Sequence, residues 1–292
     1  MISALDAAQS EWLTRQWATL PEESRVDVDG VGIACRGWNL AAHDLPGIVL
    51  VHGFRAHASW WDHIAPSLAE RHRVIALDLS GMGDSGWRTT YSRVQHGREV
   101  AAVARAYGFS RPIVIAHSYG GIVSMTEAQA QPDGFSRLIV VDSALPTPVD
   151  IRNAVNERPL RVYPSREAAL ERYVLRPPGA WPNPDILAYV ARHSVGETEA
   201  GWRWKFDPAL AAPLNGERDY RERLLGISTP AAFVHGDRSE ILTSERLAQL
   251  PLMLTRAGPP IAIPACHHHV PIEQPLALVA VLRSLLAQEV AA

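Results

Sequence analysis

The sequence predicts an α/β fold: a mostly parallel central sheet with helices on both faces and an inserted helical cap. Three observations predict it. Short apolar runs rich in β-branched residues alternate with helical stretches. Each run ends in a polar or glycine-rich segment. One long stretch late in the chain breaks the alternation.

Taken in order, residues 3–19 read as an amphipathic helix, with Leu5, Ala8, Trp12 and Gln16 on one stripe and Pro21 closing it. Two short strands are expected at 25–29 and 33–38, joined by the Asp29-Gly30 turn signal. Residues 47–52 (GIVLVH) are all but continuously apolar and lead into Gly53, as a buried parallel strand does. The same pattern recurs at 73–77, 112–116, 138–141 and 231–234, and a last short strand holds Ile261 and Ile263. Helical stretches lie at 99–107, 122–130, 244–250 and 276–287. Strands alternating with helices give a parallel sheet, and ligands in such folds bind beyond the carboxyl ends of the strands. From 146 to 213 no strand of the buried kind is expected. Ten of the chain's 22 prolines fall there, with Trp181, Trp202 and Trp204. Proline breaks helices into short pieces, so a helical cap over residues 146–225, inserted after the sixth strand, is the expectation. The core is then 1–145 and 226–292, with 1–22 an extra N-terminal helix.

Bulk properties narrow the function. The chain has 292 residues, 47% hydrophobic and 20% charged, with a formal net charge of -3. No basic block points to nucleic acid. The start lacks a basic n-region with an apolar h-region, and no run of about 18 apolar residues suggests a membrane span. Cys35 and Cys266 make no disulfide framework, which fits a reducing cytoplasm. A small-molecule substrate is expected, without cofactor or metal, and homo-oligomer formation stays open.

The chemistry concentrates in IVIAHSYGGIVS, residues 113–124. A buried strand is followed at once by a serine between small residues and then by a helix. This is the Gly-x-Ser-x-Gly nucleophile elbow with Ala116 at the first glycine position. The sharp turn places the Ser118 hydroxyl at a helix N-terminus, where the dipole favours developing negative charge. The plainer reading is that Ser118 only caps the helix. Its position after a buried strand favours a nucleophile.

A serine hydroxyl needs a base. PACHHHVPIEQP, residues 264–275, follows the last strand. With these motifs the chain resembles the α/β-hydrolase superfamily, whose typical ending is Gly-His-x-x-x-x-Glu-x-Pro. Counting back from Glu273 selects His268. The histidine run could instead be a metal site or a polar loop, but consecutive histidines converge poorly on one ion and no carboxylate–histidine zinc motif accompanies them. The resemblance implies an acid after the strand that follows the cap. There the usual aspartate position holds Ser239, and the carboxylate comes one residue later, as Glu240. Glu240 is therefore the expected acid, with Asp142 after the preceding strand the alternative and Asp237 a third. The resemblance also implies oxyanion donors at the backbone N–H of Tyr119 and of Phe54, in HGFRAHASWW (52–61). DLSGMGDSG (78–86) matches another loop of the family, for which a structural role is expected.

Serine at the elbow excludes the aspartate-dependent dehalogenases and epoxide hydrolases of this fold. The leading expectation is hydrolysis of a carboxylic ester or lactone of a small, partly apolar molecule through an acyl-enzyme. A carbon–carbon hydrolase of ring-cleavage products, or a ligand-binding protein with little turnover, are the alternatives.

Overall fold

In the computed structural model, described for residues 4–143, 161–178, 182–210 and 224–288, eight strands form one sheet in the order β1-β2-β4-β3-β5-β6-β9-β10. β1 (Glu22–Val28) and β2 (Val31–Trp38) form an antiparallel hairpin at one edge. β2 runs antiparallel to β4 (Arg73–Leu77). From there β3 (Gly47–Val51), β5 (Ile113–His117), β6 (Arg137–Val141), β9 (Ala231–Gly236) and β10 (Ile261–Ile263) are parallel.

The middles of the parallel strands are apolar because both faces are covered. Side chains of a strand alternate between faces. Val49, Val51, Val114, Ala116 and Val140 enter one core with Val100 and Val103 of α3 (Arg93–Ala106) and Val123 of α4 (Tyr119–Ala130). Ile48, Leu50, Ile115, Ile139 and Val141 enter the other. There they meet Trp12 of α1 (Ala4–Ala18), Leu68 of α2 (Ala65–Ala69) and Leu278 and Leu282 near the C-terminus. A one-residue slip of any central strand would exchange its residues between these two cores.

Element boundaries differ from expectation in instructive places. α3 begins at Arg93, six residues before the expected start, because Ser92 caps it by accepting from Gln95 N–H at 3.0 Å. Its first turns are polar but buried: Glu99 pairs with Arg88 at 2.8 Å, and His96 meets the Tyr119 hydroxyl at 2.7 Å. Apolar periodicity cannot register a helix buried through such contacts. α4 begins immediately after Ser118. In α1, Trp12 and Gln16 are buried as expected but Ala8 is exposed and Leu13 is buried in its place, while the side chain of Leu5 lies outside the described residues.

Between β6 and β9 the chain forms α5 (Arg166–Leu170), α6 (Pro184–His193) and a two-stranded hairpin, β7 (Val195–Thr198) with β8 (Gly201–Trp204). The expectation of helix alone missed this hairpin. Its strands are short and largely half-buried, so they lack the continuous apolar run of a sheet-core strand. Trp181 lies outside the described residues. The insert is tied to the core at the 78–86 loop. Gly83 N–H donates to Lys205 O at 2.8 Å, Asp207 N–H to Gly81 O at 2.7 Å, and Tyr91 O–H to the Asp207 carboxylate at 2.6 Å. The C-terminal part supplies α7 (Ser244–Met253), the short α8 (Val270–Glu273) and α9 (Pro275–Ala287), the last opened by proline at its first turn.

Candidate active site

Ser118 sits between β5 and α4 with φ 54° and ψ -121°, a backbone state costly for a side chain other than glycine. The strain is held by close packing. Ser118 N–H donates to Val141 O at 2.9 Å. A Cβ on Gly120 would lie 2.6 Å from His52 O, and one on Gly121 would lie 2.7 Å from Ser143 Cβ. Only glycine lets the turn pass this close to β3 and to the end of β6. Ala116 is fully buried on the strand side, so a methyl group is tolerated at that position.

His268 comes from the loop after β10. Its Nε2 is 3.0 Å from Ser118 Oγ, and its Nδ1 is 2.7 Å from Asp142 Oδ1. Of the acids named from sequence, the structure brings Asp142 and not Glu240 to this ring. Glu240 is exposed, in the turn beyond β9, and its carboxylate has no bond to His268. Asp142, the alternative, ends β6, is fully buried and also has a positive φ of 45°. Its carboxylate accepts from Gly236 N–H at 2.9 Å and from the Ser239 hydroxyl at 2.7 Å, besides His268. Ser239, at the position where the family usually has aspartate, donates its hydroxyl to Asp142 instead. Asp237 accepts from Cys266 N–H at 3.1 Å and braces the histidine loop.

That loop is clasped by Glu273. Its buried carboxylate accepts from the backbone N–H of His267 at 2.9 Å and of His269 at 3.2 Å, and from His267 Nδ1 at 2.9 Å. The Glu273 register that selects His268 thus has a physical cause: the carboxylate grips the residues on either side of it. The three consecutive histidines do diverge, His267 turning to Glu273. Ring nitrogens of His117, His268 and His269, however, lie within 4.8 Å of one another. One nitrogen of each neighbouring ring is already bonded, His117 Nε2–H donating to His268 O at 2.9 Å and His269 Nε2–H to Pro177 O at 3.0 Å, while the buried Nδ1 of His117 has no hydrogen-bond partner among the described residues. An ion shared by all three would have to displace His268 from Ser118 or from Asp142, since both its ring nitrogens are bonded.

Burial sets the charge state of the surrounding imidazoles. It pushes His117 well below the usual histidine range, with the neighbouring His268 acting in the same direction, and pushes His269 down to about 3. His52 is held down to about 4 by burial; its Nδ1–H donates to Gly53 O at 2.7 Å, and its Nε2 accepts from Leu79 N–H at 3.0 Å. These rings are neutral structural parts. His268 differs in having a carboxylate on its Nδ1.

Gly53 touches the nucleophile turn: a Cβ there would lie 3.2 Å from Ser118 Cβ. The backbone of the next residue, Phe54, therefore borders Ser118, and the Phe54 ring meets the Tyr119 ring edge-on at 5.5 Å. Behind this loop, burial raises Asp78 to about 6; its carboxylate accepts from Ala58 N–H at 2.6 Å and Asp84 N–H at 2.7 Å, holding the 52–61 segment against the 78–86 loop.

Ser118 and His268 open on a cavity of about 370 Å³, lined on one side by the core and on the other by Tyr173, Leu175, Trp204 and Phe206 of the insert. A larger hollow of about 570 Å³ lies between α3 and α4 and contains none of these groups. The cavity also holds a second serine–histidine pair, His57 Nε2 with Ser194 Oγ at 2.9 Å. Ser194 caps α6 and donates its hydroxyl to Val190 O at 2.9 Å, so His57 is the donor in that pair, and among the described residues no carboxylate orients its ring. That pair lacks the groups that would activate a nucleophile.

Comparison with known proteins shows the family. The chain is 27% identical over 283 residues to esterase Rv0045c of Mycobacterium tuberculosis, covering 91% of this chain and 90% of that one. It is 26% identical over 246 residues to lipase LipV of the same organism, covering 82% and 92%. Among solved structures, that of Rv0045c superposes with TM-score 0.76 at 23% identity, covering 99% of this chain and all of that chain. That of E-2-(acetamidomethylene)succinate hydrolase superposes with TM-score 0.79 at 19% identity, covering 92% of this chain and all of that one. The model of the alpha/beta hydrolase family matches residues 48–281, a span reaching from β3 into α9, and the chain belongs to that family.

Proposed function

We propose that the protein is a serine hydrolase that cleaves a carboxylic ester or lactone of a small, partly apolar molecule. The observation that carries the reading is the relay from Asp142 to His268 to Ser118, at 2.7 and 3.0 Å, opening on one cavity. The esterase and lipase relatives support it.

In this reading Ser118 Oγ attacks the carbonyl carbon as His268 Nε2 takes its proton. Asp142 keeps the other ring nitrogen protonated and stabilises the imidazolium that forms. The backbone N–H groups of Phe54 and Tyr119 hold the oxyanion, which exists only in the tetrahedral state, so their effect falls on the barrier. The carbon–oxygen bond to the leaving alcohol breaks, and His268 returns the proton to it. Water then attacks the acyl-enzyme with the same base, restoring Ser118. Trp204 and Phe206 give the cavity its apolar wall.

A fluorophosphonate probe and a panel of nitrophenyl esters test the proposal. Ser118 becomes covalently labelled in the wild-type protein, and Ser118→Ala loses both labelling and turnover with an unchanged circular dichroism spectrum. Near-normal turnover in that variant overturns the mechanism.

A further inference from the structure

The cavity beside Ser118 is unbalanced in charge. Among the described residues Arg55, Arg172, Arg176 and Lys205 line it, and no aspartate or glutamate does. Lys205 is neutralised by Asp84 at 2.6 Å. The three arginines have no carboxylate partner among the described residues. Arg55 is the most constrained of them. It follows Phe54 directly, holds a positive φ of 57°, and its N–H is fixed on the sulfur of Met82 at 3.2 Å. Its guanidinium lies over two aromatic faces, 4.6 Å from the Phe206 ring centre and 5.3 Å from that of Phe54. Aromatic faces position a guanidinium and stabilise its charge without supplying a counter-ion. The surrounding imidazoles of His57, His117 and His269 are pushed toward neutrality by burial, so the unpaired charge at the cavity belongs to the arginines.

Arg55 is exposed toward the cavity mouth, and a guanidinium held over two aromatic faces without an acidic partner among the described residues, beside the reacting serine, is a site for an anion. We infer that the substrate is an ester carrying a second, anionic group, a carboxylate or a phosphate, which Arg55 binds between Phe54 and Phe206 while Arg172 and Arg176 attract it at the mouth. The inference rests on the serine-hydrolase reading and adds a substrate class to it. It makes Arg55 a specificity-determining residue, reached from the same loop that carries the Phe54 N–H.

Matched esters test this. Monomethyl adipate and methyl hexanoate have similar chain length and differ in a terminal carboxylate. A third ester, 2-phosphonooxyethyl hexanoate, moves the anion to the alcohol side and so separates the two sources of charge. The expected result is a kcat/KM at least tenfold higher for one of the anionic esters than for methyl hexanoate, expressed mainly in KM and reduced by 0.5 M NaCl. Arg55→Met lowers that ratio at least fivefold, whereas Arg55→Lys, which keeps the charge, stays within threefold of wild type. A wild-type ratio at or below one, or a ratio unmoved by Arg55→Met, overturns the inference while leaving the hydrolase reading intact. Calorimetric titration of Ser118→Ala protein with the same three esters, with and without Arg55→Met, covers the opposite case. Arg55-dependent binding of an anionic ester by a protein whose wild type neither turns over nor labels would sink the hydrolase reading and retain the anion site. Equal binding of charged and neutral esters would sink the anion site.

Discussion

Replacing Asp142 by asparagine changes one atom and should nearly stop the reaction. The carboxylate receives three donors: Ser239 O–H and His268 Nδ1–H on Oδ1, and Gly236 N–H on Oδ2. An asparagine can meet them in two ways, and both fail. With its oxygen toward Gly236, its NH₂ faces His268 Nδ1. The imidazole then keeps its proton on Nε2 and has no lone pair for the Ser118 hydroxyl. With its oxygen toward His268, its NH₂ opposes the Gly236 N–H in a fully buried place, leaving two donors unsatisfied at about 1–3 kcal/mol each. Loss of the working tautomer in a comparable serine–histidine–aspartate relay lowers kcat by about 10⁴, or about 5.4 kcal/mol. The expected drop for Asp142→Asn is therefore about 10³ to 10⁴ in kcat on a nitrophenyl ester. Glu240→Gln, at an exposed position without a bond to the ring, should stay within about twofold, as surface changes do. Steady-state kinetics on both variants, with thermal melts to confirm folding, gives the comparison. A large loss in Glu240→Gln with Asp142→Asn within tenfold of wild type would refute the reasoning.

Two further outcomes follow from packing and burial. Gly120→Ala places a methyl carbon 2.6 Å from His52 O and 2.7 Å from Val51 O, both backbone and unable to yield, so Tm should fall by about 2–10 °C and turnover should drop with it; an unchanged Tm would show that the turn relaxes freely. Stability should also fall on acidification from pH 6.5 to 5. His52 and His63 are held to about 4 and His269 to about 3, so the folded protein binds fewer protons there than the unfolded chain, while Asp78, raised to about 6, opposes with one group. His57 and His117, held well below the usual histidine range by burial, act in the same direction as these three, so the folded protein loses stability across this range, and a Tm flat or rising over it would contradict the reasoning.

The parts of the molecule that were legible in sequence are those fixed by local chemistry. Strands buried on both faces announce themselves as apolar runs, as 47–51 and 74–77 do, because a polar side chain on either side would lose its water. The elbow is legible because a strained serine needs small neighbours, and His268 because Glu273 must lie five residues beyond it to grip the loop. The acid was not legible in the same way. A carboxylate after β6 and one after β9 can both reach the imidazole, and the choice depends on how two loops fold across the strand ends. One signal was available: Ser239 stands where an aspartate is usual, and Asp142 directly ends an apolar strand, as Asp78 does. The early start of α3 and the β7–β8 hairpin escaped for another reason. Both are held by polar contacts and half-buried positions that leave no apolar period to read.

The position of the acid has a further consequence, because Ser239 and Asp142 share one donor–acceptor contact of 2.7 Å. The Ser239 hydroxyl already touches the oxygen that receives His268 Nδ1–H. An aspartate at 239 is one atom longer than serine and would bring its own carboxylate to the edge of that ring. In the wild-type background Ser239→Asp sets two carboxylates against each other in a buried place, which should cost stability and activity together. In the Asp142→Asn background, the same substitution instead gives the new amide an acceptor and gives the imidazole a negative partner. The double variant Asp142→Asn with Ser239→Asp should therefore recover at least tenfold of the kcat lost in Asp142→Asn alone, although Ser239→Asp by itself is harmful. Such sign reversal is what direct coupling between two neighbours produces, and independent sites cannot produce it. If the double variant is no faster than Asp142→Asn, the end of β9 cannot present a carboxylate to His268, and only the end of β6 can serve in this chain.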